Sequence, residues 1–228
     1  MRPYIELFGP EHLVILVTVP ALAALLAIVQ RRFLGDSRRL RLLLAVLLLI
    51  DTVVFYWYQV AHGLVSFPGH FPLELCDLSL VLVCISLLTL NDTVFDLAYY
   101  LSLGGATMAL LTPNLWEPFP SFGTVQFFVA HGLTVAGVLY QVWSGLARPR
   151  PRSIGRAMLG LNVFAVAVGA FDAIFKTNYM YLLAKPSNAS LLDALGPWPW
   201  YILSAELVAL VIFGLLYLPF RRRVAEST

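Results

Sequence analysis

Residues 31–60 read RRFLGDSRRL RLLLAVLLLI DTVVFYWYQV. Arg31, Arg32, Arg38, Arg39 and Arg41 crowd the first third, and residues 42–60 then carry Asp51 as their only charge. A helix crosses a bilayer core with roughly 20 mostly apolar residues, and arginine gathers on the cytoplasmic side of such a crossing. The stretch therefore reads as a basic loop feeding a membrane span over 40–60. Working outward, the same pattern places spans at about 12–30, 71–90, 94–112, 123–143, 157–179 and 200–219. The expected fold is an all-α bundle of about seven transmembrane helices, with residues 1–228 forming one polytopic membrane domain. The first span has no small-residue cleavage site and reads as a retained helix, not a signal peptide.

Composition agrees. Hydrophobic residues make up 60% of the chain and charged residues 12%, against about 45–50% and 25% in a soluble domain. Mean hydropathy is +0.81. A water-soluble domain of this size has no interior large enough for so much apolar surface. The net charge of +2 is too small to point to nucleic acid. Cys76 and Cys84 lie eight residues apart in one apolar segment, so they cannot pair with each other on a helix and no disulfide scaffold is expected.

The basic loops orient the chain. Loop 31–41, loop 144–156 (Arg148, Arg150, Arg152, Arg156) and the tail (Arg221, Arg222, Arg223) fall on one side if the spans number seven. The alternate loops 61–70 and 113–122 hold no Lys or Arg, and loop 180–199 holds only Lys185. This puts the N-terminus outside and the C-terminus in the cytoplasm. The uncharged loops are rich in Pro, Trp and Phe, including Trp116 and Gly196-Pro197-Trp198-Pro199-Trp200. Such aromatic loops suit caps at the headgroup level.

Ionisable residues inside a membrane are costly and turn toward the bundle interior. Glu74, Cys76 and Asp77 fall in the outer turns of the third span, and Gln126 and His131 in the outer half of the fifth. Asp172, Lys176 and Asn178 come toward the outer end of the sixth, and Glu206 lies a turn or two into the seventh. Asp51 and Asp96 sit deeper or inward and fit this polar layer less well. On the sixth span Asp172 and Lys176 stand four apart with the acid first, which is the better order for an ion pair. Gly104-Gly105-Ala106 with Ala109 reads as a close helix contact.

These residues leave three chemistries open. Cys76 and His131 at one depth suit nucleophilic acyl transfer, with the imidazole taking the thiol proton and Glu74 or Asp77 orienting it. His12, His62, His70 and His131 also fall near the outer face, but no H-x-x-x-H spacing fixes a zinc pair, so no metal and no cofactor is expected. Intramembrane acids with a lysine are also the material of a carrier, though the two halves show no inverted repeat.

The segment His70-Phe71-Pro72-Leu73-Glu74-Leu75-Cys76-Asp77-Leu78-Ser79 resembles the corresponding segment of YwaF-like bacterial integral membrane proteins, which are similar to the animal transmembrane protein 164 family. Further matching blocks are Asp96 to Tyr100 with Gly104-Gly105-Ala106, Leu111-Thr112-Pro113, Phe127 to Gly132, Asn178 to Leu182 with Lys185-Pro186, and Ser190 to Asp193 with Gly196 to Tyr201. The resemblance implies a multi-pass protein of a bacterial plasma membrane. It implies a phospholipid acyltransferase with Cys76 as nucleophile and His131 as base, acting on an acyl donor and acceptor among membrane lipids, and the same pair leaves acyl hydrolysis open. Gln126, Asp172 and Glu206 are then supporting residues, while Lys176, Asn178, Tyr181 and Lys185 are candidates for headgroup or oxyanion contacts. The alternative is a non-enzymatic carrier or scaffold. A carrier needs a polar path onward past Asp51 and Asp96 to the cytoplasmic side, an enzyme needs Cys76 within reach of His131 and a groove open to lipid, and a scaffold needs neither.

Overall fold

The computed structural model describes residues 4–35, 37–115, 117–186 and 191–225. Trp116 and Ser190 lie outside the described residues, as do the side chains of Arg222 and Arg223. The described chain is helical and contains no strand. In order come α1 (Pro10–Phe33), α2 (Arg38–Ala61), α3 (Leu75–Thr89), α4 (Asp92–Leu101), a π turn (Ser102–Ala106), α5 (Thr107–Leu111), α6 (Phe122–Trp143), α7 (Ser153–Phe175) and α8 (Trp200–Ala225). Six of the helical segments, with α4 to α5 counted as one, are long and apolar enough to cross a membrane. The seventh, α3, has 15 residues, about 22 Å at 1.5 Å per residue.

Local chemistry sets the boundaries. Helix α3 starts at Leu75 because Glu74 and Asp77 form a reciprocal capping box, with Glu74 N donating to Asp77 Oδ2 at 2.9 Å. The span read over 71–90 is thus shortened at its start, and Glu74 is a cap where a position inside the helix was expected. Asn91 caps α4 by accepting from Thr93 N and Val94 N. Pro10 opens α1, where its missing N–H costs nothing. Helix α7 ends at Phe175, because Lys176 adopts a left-handed conformation (φ 59°) and turns the chain out of the helix.

The segment α4–α5 and helix α6 form the interior: half of each apolar window is buried, against 11% for α8. Helix α6 packs on α1, α2 and α3, and α4 packs on α3 and α7. Gly137 permits the α3–α6 approach, since a Cβ there would stand 2.9 Å from Val83 Cγ1. The Gly104-Gly105 contact also forms, in the π turn: Gly104 faces Phe213 of α8 and Gly105 faces Leu75 of α3.

Arginines mark one end of the bundle. Arg41 Nη1 donates to Leu87 O at 2.5 Å, at the C-terminal end of α3. Asp96, fully buried, receives Arg150 Nη2 at 2.9 Å and Arg156 Nη2 at 2.7 Å, and its Oδ1 accepts from Arg150 N. Asp96, read as deeper or inward, is thus an anchor for loop 144–156 at the arginine-rich end. Both guanidiniums are about a third exposed, so removing Asp96 leaves no fully buried unpaired charge. Asp96→Ala is expected to cost about 2–3 kcal/mol, read as a lower thermal unfolding midpoint in detergent.

Candidate active site

At the opposite end Leu64 to Glu74, Asn114, Leu115, Glu117 and Thr177 to Tyr181 bring loop residues to a cleft. It has two adjoining compartments of about 620 Å³ and about 600 Å³ that share Gln59, Glu74, Gln126, Phe127, Tyr179 and Tyr181 among their walls. The first holds Cys76, Asp77 and His131. The second, nearer the loops, is walled by Tyr58, Glu117, Thr124 and Asn178. Among the described residues no Lys or Arg lines either compartment.

Cys76 is partly exposed and occupies position N2 of α3, two residues past the Glu74 cap. The first-turn amides of a helix have no i−4 carbonyl partner, and the N–H groups of Cys76 and Asp77 lie against the Cys76 sulfur. His131 is 8% exposed. Its Nδ1 lies 2.7 Å from Phe127 O. A carbonyl can only accept, so Nδ1 carries the proton and Nε2 keeps its lone pair as a base. The Phe127 ring lies against the imidazole with centroids 4.2 Å apart.

The carboxylates expected to orient the imidazole do other work. Asp77 closes the capping box, and Glu74 Oε2 accepts from Met180 N at 3.0 Å. The backbone carbonyl of Phe127 takes the orienting part instead. Asp51 is closer to the site than its depth suggested, because its Oδ2 accepts from Gln126 Nε2 at 3.0 Å. The amide nitrogen of Gln126 is thereby committed to Asp51 at a wall common to both compartments.

Four residues of the expected cluster fall outside the cleft. The pairing of Asp172 with Lys176 does not form: the left-handed Lys176 leaves the helix and is exposed, while the buried Asp172 Oδ1 accepts from Thr177 Oγ1 (2.6 Å) and Tyr179 N (3.0 Å). Glu206 accepts from Asn162 Nδ2 at 2.9 Å between α8 and α7. Lys185 lies 3.8 Å from Asp193 and 5.5 Å from the centre of the Tyr201 ring. Asn178 and Tyr181 do line the cleft. Among the described residues no group of three His, Cys, Asp or Glu side chains is placed to hold a metal ion.

Tyr179 is the residue that spacing along the sequence undervalued. Its hydroxyl donates to Pro68 O and accepts from Phe71 N, each at 2.8 Å. Burial raises the phenol above its usual value, so it stays neutral and serves both bonds. With Asp172 below and Glu74 beside it, the turn Tyr179–Tyr181 is fastened across the cleft. Tyr179→Phe is expected to speed amide hydrogen exchange at Phe71 by about tenfold, matching the loss of about 1–2 kcal/mol of local hydrogen bonding. Exchange near Asp96 should stay unchanged.

The cleft does not continue as a polar path. Beneath it Leu48, Val83, Leu87 and Val138 are fully buried, with Ser86 and Gln141 hydrogen-bonded to each other. Asp96 is closed off by its two arginines at the far end.

Fold and site together define a multi-pass, all-helical membrane protein with a polar cleft sunk into one end of the bundle. The chain belongs to the TMEM164 family, whose model matches residues 7–217. Among curated proteins and among solved structures nothing matches the chain significantly.

Proposed function

We propose that the protein transfers or hydrolyses a fatty acyl group of a membrane lipid by covalent catalysis. The observation that carries this reading is that Cys76 and a His131 with a free Nε2 line one cavity. In the first step the Cys76 sulfur attacks an ester carbonyl while its proton passes to His131 Nε2. The tetrahedral oxyanion is met by the first-turn amides of α3. The ester C–O bond then breaks and the leaving alcohol takes the proton from His131, giving an acyl thioester. A second hydroxyl, from water or another lipid, attacks the thioester carbonyl and yields its proton to Nε2. The C–S bond breaks and the sulfur recovers that proton.

Proton transfer accompanying attack suits this cleft. A standing thiolate beside Glu74 and Asp77 would have no cationic side chain on the walls to balance it. Lys176 and Lys185, the residues expected to meet a lipid phosphate, lie elsewhere. In this reading the N-terminus lies outside, the arginine-rich end faces the cytoplasm, and the cleft opens in the outer leaflet. The closed interior around Leu48 and Val83 favours this reading over the carrier alternative.

The test is to incubate the purified protein in lipid with a phospholipid whose acyl chain bears a tag. A hydroxylamine-sensitive tagged adduct is expected. No adduct from several donor lipids, with the protein folded, would overturn the covalent reading.

A further inference from the structure

Resting on the acyl-transfer reading, we infer that the floor beneath Cys76 and His131 seats the acyl chain and sets the length accepted. Leu80 lies four residues beyond Cys76 on α3, and Thr134 three beyond His131 on α6. Each is therefore one turn deeper on the same helix face. Thr52 of α2 and Gly105 of the π turn complete this floor, and all four line the Cys76 compartment and not the outer one.

The floor is apolar although two of its residues are threonines. Thr134 Oγ1 donates to Ala130 O at 2.7 Å and Thr52 Oγ1 to Leu48 O at 2.9 Å. Both hydroxyls are satisfied within their own helices. The outer compartment adds Tyr58, Glu117, Thr124, Thr177 and Asn178 beside the apolar Leu64, Leu115 and Phe122. An ester carbonyl at Cys76 thus has carboxyl, amide and hydroxyl groups within the loopward walls, and Leu80, Gly105 and the satisfied threonines toward the middle of the bundle. An amphipathic substrate fits only with its polar part loopward and its chain on the floor.

The floor also has an end. Leu48 and Val83, the next turns of α2 and α3, are fully buried. Gly105 leaves its part of the floor without a side chain, and a Cβ there would stand 3.2 Å from Leu75 Cδ2, on the residue just before Cys76. Chain length is thereby bounded by the distance from Cys76 to this packed layer.

The experiment uses the full chain in detergent–lipid micelles and two tagged phospholipids that differ only in acyl length, one short and one long. The ratio of long-chain to short-chain acylation rates is measured for wild type, Thr134→Phe and Leu80→Ala. Thr134→Phe, which fills the floor, should lower the ratio about tenfold, and Leu80→Ala, which deepens it, should raise it, because each methylene gained or lost from burial carries a several-fold factor. The ratio is internal to each variant, so a general loss of activity does not move it. Should Thr134→Phe fail to fold, Leu80→Ala with Gly105→Ala, expected to lower the ratio, gives the same opposed pair. Unchanged ratios, or ratios that move together, in an enzyme that is acylated would overturn the inference and leave the acyl-transfer reading standing.

A phospholipid with a photoreactive group at the end of its acyl chain supplies a readout that needs no turnover. Cross-links are expected near Leu80, Gly105 and Thr134. Cross-links confined to the loops 112–121 and 176–186 would overturn the inference whether or not the protein is catalytic, whereas floor cross-links without acylation would remove the covalent reading alone.

Discussion

Cys76→Ala is expected to abolish the tagged acyl adduct and the turnover of lipid together, while Cys84→Ala keeps both. The two thiols sit in one helix and are both partly exposed, so the contrast isolates position from chemistry. Cys76 opens α3 on the wall of the cleft. Cys84 lies two turns further on, with its sulfur 3.9 Å from Ala45 O, and lines neither compartment. It behaves as a small core residue. The measurement is in-gel detection of the tag beside product analysis of the same samples. Equal adduct in Cys76→Ala and wild type would contradict the assignment.

The second large effect concerns His131. His131→Ala is expected to slow formation of the adduct by about 10²–10⁴, the range general acid–base catalysis supplies. The fold should persist, because among the described residues the one hydrogen bond lost is to Phe127 O within the same helix. The slowed step should be acylation measured in a single turnover, with the thermal midpoint close to that of wild type. A variant that acylates at the wild-type rate would leave the imidazole a packing group against Phe127.

Depth was legible in the sequence and direction was not. Hydropathy runs located the spanning helices within a few residues, since a bilayer imposes a length that a linear reading can count. The same counting put Cys76, Glu74, Asp77, Gln126 and His131 in one layer, and all five line the Cys76 compartment. Glu206 shares that layer, but faces Asn162 on α7. Which way a side chain points depends on how its helix is rotated against its neighbours, and that is set by contacts such as Gly137 on Val83, which no single segment carries. Backbone conformation accounts for the rest. The Asp172–Lys176 spacing suits an ion pair only if the helix runs on, and it stops one residue short of the lysine. The π turn at Ser102–Ala106 leaves no periodicity long enough to read, yet it brings Gly105 to the floor. Asp51 was set apart because its partner Gln126 lies 75 residues away on another helix.

The most direct measurement is site-resolved mass spectrometry of the acylated protein, trapped at low pH after a brief exposure to a phospholipid donor. The mechanism requires the added mass of one acyl chain on the peptide containing Cys76, removable by hydroxylamine and formed at least as fast as product appears. An acyl chain found on Cys84, or lipid turnover with Cys76 unmodified at every time point, would contradict it.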